Sequence, residues 1–502
     1  MNPTVTHSLE GKTADIKASR VSVAAPVGDS FVAAPPLFQH QSRAVEFILK
    51  RGGVGALFMD MGTGKTRAAL EVFSRLRLKT PGLKMIVICP LSLIEAAWGE
   101  DIRKFTGFSY FNAHDEALPQ ELKEDILIIN FEAIILKRNI AFQKFIHGNL
   151  LVIDESSKMK NHKAKTTKML LTLRNSASYR IIMSGTPAPN SPLEYWAQMV
   201  FLNDYIFNKS FFAFRNAYFH LGRNGQVMNL HGQTMTRDLM RDIMRKGWKY
   251  EITKDSLSKL ISRIEPWVFR ARKEECLDLP EQTDEIRSVS LWPDQARVYR
   301  DMKRDLIAEI RNLAADTSCV VVAQAALTKI MKLREITSGF AIDVEGDAVA
   351  IGASAKLDEL WEVLEEAGHQ QVIIWACFKW DIETIAQELA AQGKTCVTLY
   401  SETKHKDDNI QLFKMGAAQY LVANPHSAAH GLTFTNCSTQ VFFSLDYSLE
   451  FYEQAKARIH RAGQTKKCTY IHLIAKDTID EQIMRVLRSK GDVNQIVEEY
   501  LR

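Results

Sequence analysis

Long apolar runs are missing from this chain. None of its hydrophobic stretches approaches the ~20 consecutive residues that a membrane-spanning helix needs, so no membrane segment is expected. The first residues have no continuous apolar core of the kind a signal peptide carries. Glu10, Asp15 and Asp29 count against a transit peptide, and a cytoplasmic setting is therefore expected. Cysteine is scarce and scattered, seven in 502 residues without a CxxC pair, which argues against a disulfide framework and against a zinc site. His426 and His430 stand four apart, yet no cysteine or carboxylate with ligand spacing joins them, and no metal site is read there. Low-complexity tracts and short repeats are lacking as well. What is present is ordinary globular composition, 46% hydrophobic and 25% charged, in a chain long enough for two or three cores.

The net charge of +5 is small but unevenly spread. Residues 201–273 hold 14 Lys or Arg against 6 Asp or Glu, together with 12 aromatics, in runs such as "FNKSFFAFRNAYF" and "RKGWKY". Interleaved basic and aromatic residues suit a surface that tracks phosphates; they equally suit a helical subdomain with packed aromatics and solvated charges. Lysines 158, 160, 163, 165 and 168 allow the same two readings.

Short β-rich runs alternate with helical patterns in two blocks. The first holds "GALFMD", "MIVICP", "ILIIN", "LLVIDE" and "RIIMSG"; the second holds "QVIIWA", "TCVTLY", "YLVAN", "QVFFSL" and "YIHLIA". Such alternation predicts an α/β protein with two parallel sheets flanked by helices. The expected division is a flexible leader at 1–34, a first lobe at 35–200, a helical basic and aromatic insertion at 201–350, a second lobe at 351–490 and a tail at 491–502.

"MDMGTGKTRAAL", Met59 to Leu70, stands where the first block turns from strand to helix. Backbone N–H groups of Gly62, Thr63 and Gly64 suit a phosphate, because no bulky side chain blocks its approach. Lys65 would reach the β- and γ-phosphates and the Thr66 hydroxyl would bind Mg²⁺. The usual glycine six residues before the lysine is Met59 here. Eighty-nine residues past the lysine, "LLVIDESSKMKN" supplies an acidic pair: Asp154 for Mg²⁺, and Glu155 to polarise the attacking water.

"MGTGKT", "DESSKMKN", "SGTPAPN" and "ARIHRAGQ", in this order and spacing, resemble the motifs of helicase superfamily 2 in the form of the Swi/Snf-type helicase-like ATPases. "CPLSLIEAAW", "RARKEECLDLP", "KLREITSGF" and "DYSLEFYEQAKARIHRAGQ" support the resemblance, which spans roughly residues 37–490 and looks most like compact phage and bacterial members. The resemblance implies two RecA-like lobes, with ATP and Mg²⁺ bound between them and double-stranded DNA as partner. It implies a setting in a bacterial or phage-infected cell. By position in its motifs, Gln41 of "FQHQ" would read adenine, and Ser184, Gly185 and Thr186 would couple nucleotide to DNA. Gln454, Arg458 and Arg461 would complete the site from the second lobe, with Arg461 as arginine finger and Arg458 as the alternative. DNA would lie along Ser92, Asn130, Phe131 and Thr186 on one lobe and along His430, Gly431, Leu432 and Thr433 on the other. This sequence departs from the pattern at Ala428, Ala429, Thr433 and Tyr447.

The expected activity is therefore ATP-driven translocation along duplex DNA. Two alternatives stand beside it: a strand-separating DNA or RNA helicase of the same superfamily, and a DNA-binding scaffold without turnover. Pathway, protein partners and oligomeric state are not legible in the sequence.

Overall fold

The computed structural model describes residues 35–488 except 115, 137–139, 190, 208, 224–225, 229–242, 244–248, 317–329, 344 and 429–431. The expected leader at 1–34 and tail at 491–502 lie outside the described residues, as do His430 and Gly431.

Five apolar runs of the first block become strands of one parallel sheet: β1 (Val54–Met59), β2 (Met85–Cys89), β4 (Ile126–Asn130), β5 (Leu150–Asp154) and β6 (Tyr179–Ser184). A short β3 (Tyr110–Asn112) closes one edge, and the strand Val268–Ala271 closes the other beside β1. Helices packed on both sides of the sheet bury both of its faces, so the runs are continuous rather than alternating. Successive residues enter different cores: Leu57, Val87, Ile128 and Val152 go to one side, and Phe58, Ile88, Ile129 and Ile153 to the other. Helix α1 (Gln39–Lys50) and helix α2 (Lys65–Lys79) cover the first side. Helix α2 buries Ala68, Ala69, Val72, Phe73 and Leu76 at helical spacing, and its last turn carries Arg77 and Lys79 against the carbonyl end of the dipole.

The second sheet is also parallel, in the order Gln282–Val289, Cys468–Ala475, Thr439–Phe442, Val372–Trp375, Tyr420–Ala423 and Cys396–Leu399. Ile373, Trp375 and Phe442 face one core, and Val372, Ile374 and Val441 face the other. Two parallel sheets with helices on both faces is the α/β architecture expected from the sequence. No described helix is long and apolar enough to cross a membrane.

The interval 201–350 differs from the expected helical insertion. It holds the helices Phe211–Tyr218, Lys254–Ile264 and Pro293–Asp316, and it also gives each sheet an edge strand, Val268–Ala271 to the first and Gln282–Val289 to the second. Both of these evade an apolar search. The first is four residues long, and the second, "QTDEIRSV", keeps alternate residues in solvent.

Candidate active site

β1 ends at Met59, and the chain turns through residues 60–64 into α2. Gly62 and Gly64 adopt φ of 84° and 81°, where side chains with a Cβ are strained. Close neighbours fix them further. A Cβ on Gly64 would lie 2.1 Å from Gln41 Nε2, and one on Gly62 would lie 2.9 Å from Arg461 Cγ. The glycines therefore let two polar side chains, one from each sheet's part of the fold, reach the turn.

Residues of α1 hold this loop from outside. Gln41 Nε2 donates to Thr63 O at 3.1 Å, His40 Nε2 lies 2.8 Å from the same oxygen, and Phe38 N donates to Gln41 Oε1. The Gln41 amide thus braces the loop and keeps a second N–H and a second lone pair beyond these bonds. Inside the turn, Lys65 Nζ donates to Met59 O at 3.0 Å and Asp60 O at 3.4 Å, and Thr63 Oγ1 donates to Asp60 O. Burial lowers the Lys65 pKa, opposed by the carboxylates of Glu155, Asp154 and Asp60.

The acidic pair stands at the end of β5, two strands from β1 in the sheet. Asp154 is 4% exposed and accepts from Trp98 Nε1 at 3.0 Å and from the Glu155 N–H at 3.0 Å. Burial raises its pKa against the pull of Lys65. Glu155 is pushed up to about 7, by burial first, with Asp154 and Glu450 adding like charge. Its φ of 52° is one of two positive values among the described non-glycine residues. Ser184 Oγ reaches Glu155 Oε2 at 3.5 Å and receives Thr186 N at 3.1 Å, so the "SGT" turn touches the acidic pair.

From the second sheet's side, the helix Leu449–Lys456 and the turn after it bring Gln454, Arg458 and Arg461. Arg458 is 2% exposed and committed locally, donating to Gln454 O at 2.7 Å and Leu432 O at 2.8 Å. Arg461 donates to Thr433 Oγ1 at 2.6 Å, and its Nε is buried without a partner. Burial pulls it down to about 10, opposed by Asp101, Glu100 and Glu155. Gln454 Nε2 lies 3.5 Å from Glu450 Oε1, which also receives Ser157 Oγ at 3.4 Å across the divide.

The expected nucleic-acid residues are placed unevenly. Ser92 is exposed and Thr186 partly so. Asn130 and Phe131 are only 2% and 4% exposed; Asn130 bonds His114 and Glu132, and Phe131 packs in the core. Thr433 is engaged with Arg461. Asn130 and Phe131 are held by packing, and half-buried Thr433 is tied to the arginine. Three residues at the site went unread as such in the sequence: Trp98, which bonds Asp154, and Asp60 and Lys273, which bond each other. An acid at the end of a strand entering a glycine loop was a visible signal for Asp60; Trp98 and Lys273 lay in the stretches "CPLSLIEAAW" and "RARKEECLDLP" that carry the resemblance, without a role read for either.

The residues fit a Mg²⁺-nucleotide. Two glycines open the loop, an ammonium and two buried carboxylates converge, and the buried Arg461 Nε and Gln454 Oε1 make no bond within the protein. Phosphate oxygens satisfy such a guanidinium.

Comparison with known proteins agrees with the motif reading. The family model of the SNF2-related domain matches residues 40–339, and that of the helicase conserved C-terminal domain matches residues 355–463. A Caenorhabditis elegans homolog of SWI/SNF-related matrix-associated actin-dependent regulator of chromatin subfamily A-like protein 1 is 24% identical over 91% of this chain and 61% of its own length. The chain thus spans less than two thirds of that relative. Putative protein p41 of Acyrthosiphon pisum secondary endosymbiont phage 1 is 24% identical over 90% of this chain and 95% of itself. Among solved structures, a Sulfolobus solfataricus SWI2/SNF2 ATPase core in complex with dsDNA has 23% identity and a TM-score of 0.42, covering 93% of this chain and 94% of that one. With the SNF2-related match alone running over more than half of its length, this chain belongs to the SNF2-related family and carries that family's superfamily 2 helicase core.

Proposed function

We propose that the protein is an ATP-driven motor that moves along double-stranded DNA, its two sheets forming lobes that open and close on the nucleotide. The observation that carries this reading is the division of the site: Lys65, Asp154 and Glu155 stand at the strand ends of the first sheet's half, and Arg461 reaches Gly62 from the second sheet's half. A site so divided is complete only when the lobes meet, which ties hydrolysis to motion. Lys65 and the N–H groups of Gly62, Thr63 and Gly64 bind the phosphates, and Gln41 and Gln454 contact the nucleotide. Thr66 and Asp154 would hold Mg²⁺, which neutralises phosphate charge when bound. Glu155 takes the proton of the attacking water, and Arg461 balances charge as the phosphoryl group transfers.

Duplex DNA is proposed as the track from the basic and aromatic stretch 201–273 and from Ser92 and Thr186 at the first lobe. ATP turnover measured alone and with duplex, single-stranded, forked DNA and RNA tests this reading. Duplex DNA is expected to stimulate most, without strand separation in an unwinding assay. Stimulation by RNA alone, or unwinding of forks, would replace the translocase with a helicase; no turnover on any substrate would leave a scaffold.

A further inference from the structure

The chain passes from the first sheet to the second through residues 272–281, between the strands Val268–Ala271 and Gln282–Val289. Lys273 lies at the start of this passage and bonds in two directions. Its backbone N–H donates to Asp60 Oδ2 at 2.9 Å, and its Nζ donates to the carbonyl of His460 at 2.9 Å. Asp60 opens the glycine loop, and its own carbonyl receives both Thr63 Oγ1 and Lys65 Nζ. His460 immediately precedes Arg461, and its ring Nε2 lies 2.9 Å from Pro280 O at the far end of the same passage.

We propose that Lys273 is a positioning residue, which sets Arg461 by fixing the His460 carbonyl against the root of the glycine loop. The proposal rests on Arg461 acting at the phosphates. Lys273 occupies a poor place for an ammonium. Burial pulls its pKa down to about 8, with the cations Arg461, Arg458 and Lys65 adding to the effect and Asp60 opposing it. An apolar side chain of similar length would fill that space without the cost. What the amine adds is one directional bond to the peptide that carries the arginine. Small displacements of such a group are expensive in rate, because the reacting geometry is narrow.

The test is a double-mutant cycle read in steady-state ATPase kinetics, with whichever DNA stimulates best. Lys273→Met is expected to lower kcat by ~10-fold or more with the KM for ATP little changed, since orientation and not binding is lost. Lys273→Arg, which keeps a donor, should recover much of the rate. Lys273→Gln, neutral and shorter, is a second variant should Met impair folding, with a smaller loss in the same direction. In the Arg461→Ala background, Lys273→Met should cost nothing further, because its effect runs through the missing arginine. Wild-type kcat in both Lys273→Met and Lys273→Gln, or losses that multiply in the double variant, would overturn the proposal. If Arg461→Ala itself turns over like wild type, the arginine assignment falls and Lys273 falls with it; the single variants tell these two failures apart.

Discussion

Glu155 is held in the left-handed region at φ 52°, where a residue with a Cβ sits about 1–2 kcal/mol above its relaxed state. Its N–H on Asp154 Oδ1 and Asp154's bond from Trp98 keep that turn in place. Glu155→Gln retains the turn and removes the anion, so ATP should still bind while turnover falls by ~10²-fold or more. With its carboxyl raised to about 7, the base gains activity as pH rises through that value. The kcat/KM of the parent should therefore climb from pH 6 to 8, and that of Glu155→Gln should not; parallel profiles would give Glu155 another role. The arginines separate by a different measurement. Arg458 is buried on two carbonyls, so Arg458→Ala should cost about 2–4 kcal/mol in unfolding experiments by stranding them. Arg461→Ala should leave stability nearly unchanged and lower turnover by ~10³-fold, to a residual rate that can still be measured. If Arg458→Ala is stable but inactive, the roles are reversed. The glycine loop and acidic pair were legible because each follows an apolar run that ends abruptly in polar residues. The bonds of Trp98 and Lys273 were not, although both residues stand in stretches that carry the resemblance, since a bond made across 56 or 187 residues leaves no local pattern.

At the level of elements, the buried strands were legible and three of the four sheet edges were not, for the reason that burial on both faces is what writes an apolar run; Cys396–Leu399, an edge read from "TCVTLY", is the exception. The helix Lys379–Ala391 shows a further feature hidden from the sequence. Asp381 in its first turn is 2% exposed, and its Oδ2 accepts from Ser338 at 3.0 Å and Ser444 at 2.9 Å, while Oδ1 has no partner. Burial raises its pKa from 3.8 to about 7 despite those bonds and the nearby Lys356 and Arg334. A carboxyl whose folded pKa is raised binds its proton more tightly in the folded state, so stability is lost as pH rises from 3.8 towards 7. The slope is at most about 1.4 kcal/mol per pH unit. Asp381→Asn has no such term. Its denaturation midpoint, compared with the parent's, should gain steadily between pH 5 and 7; a constant difference would mean Asp381 is ionised throughout.

On the scale of the whole molecule, every strand of the first sheet precedes residue 272 and every strand of the second follows residue 281. The two halves are therefore on one tether. Both of its ends are tied down, by Lys273 on Asp60 and by Pro280 O beside His460, with Glu281 O receiving Cys468 N. Only residues 274–279 are left as slack, about 20 Å of chain at full stretch. On the proposed reading, this caps the stroke. Neither half can let go of its track and reach far ahead, so distance is covered by many short advances. A bound obstacle must be pushed against, because there is no length with which to step over it.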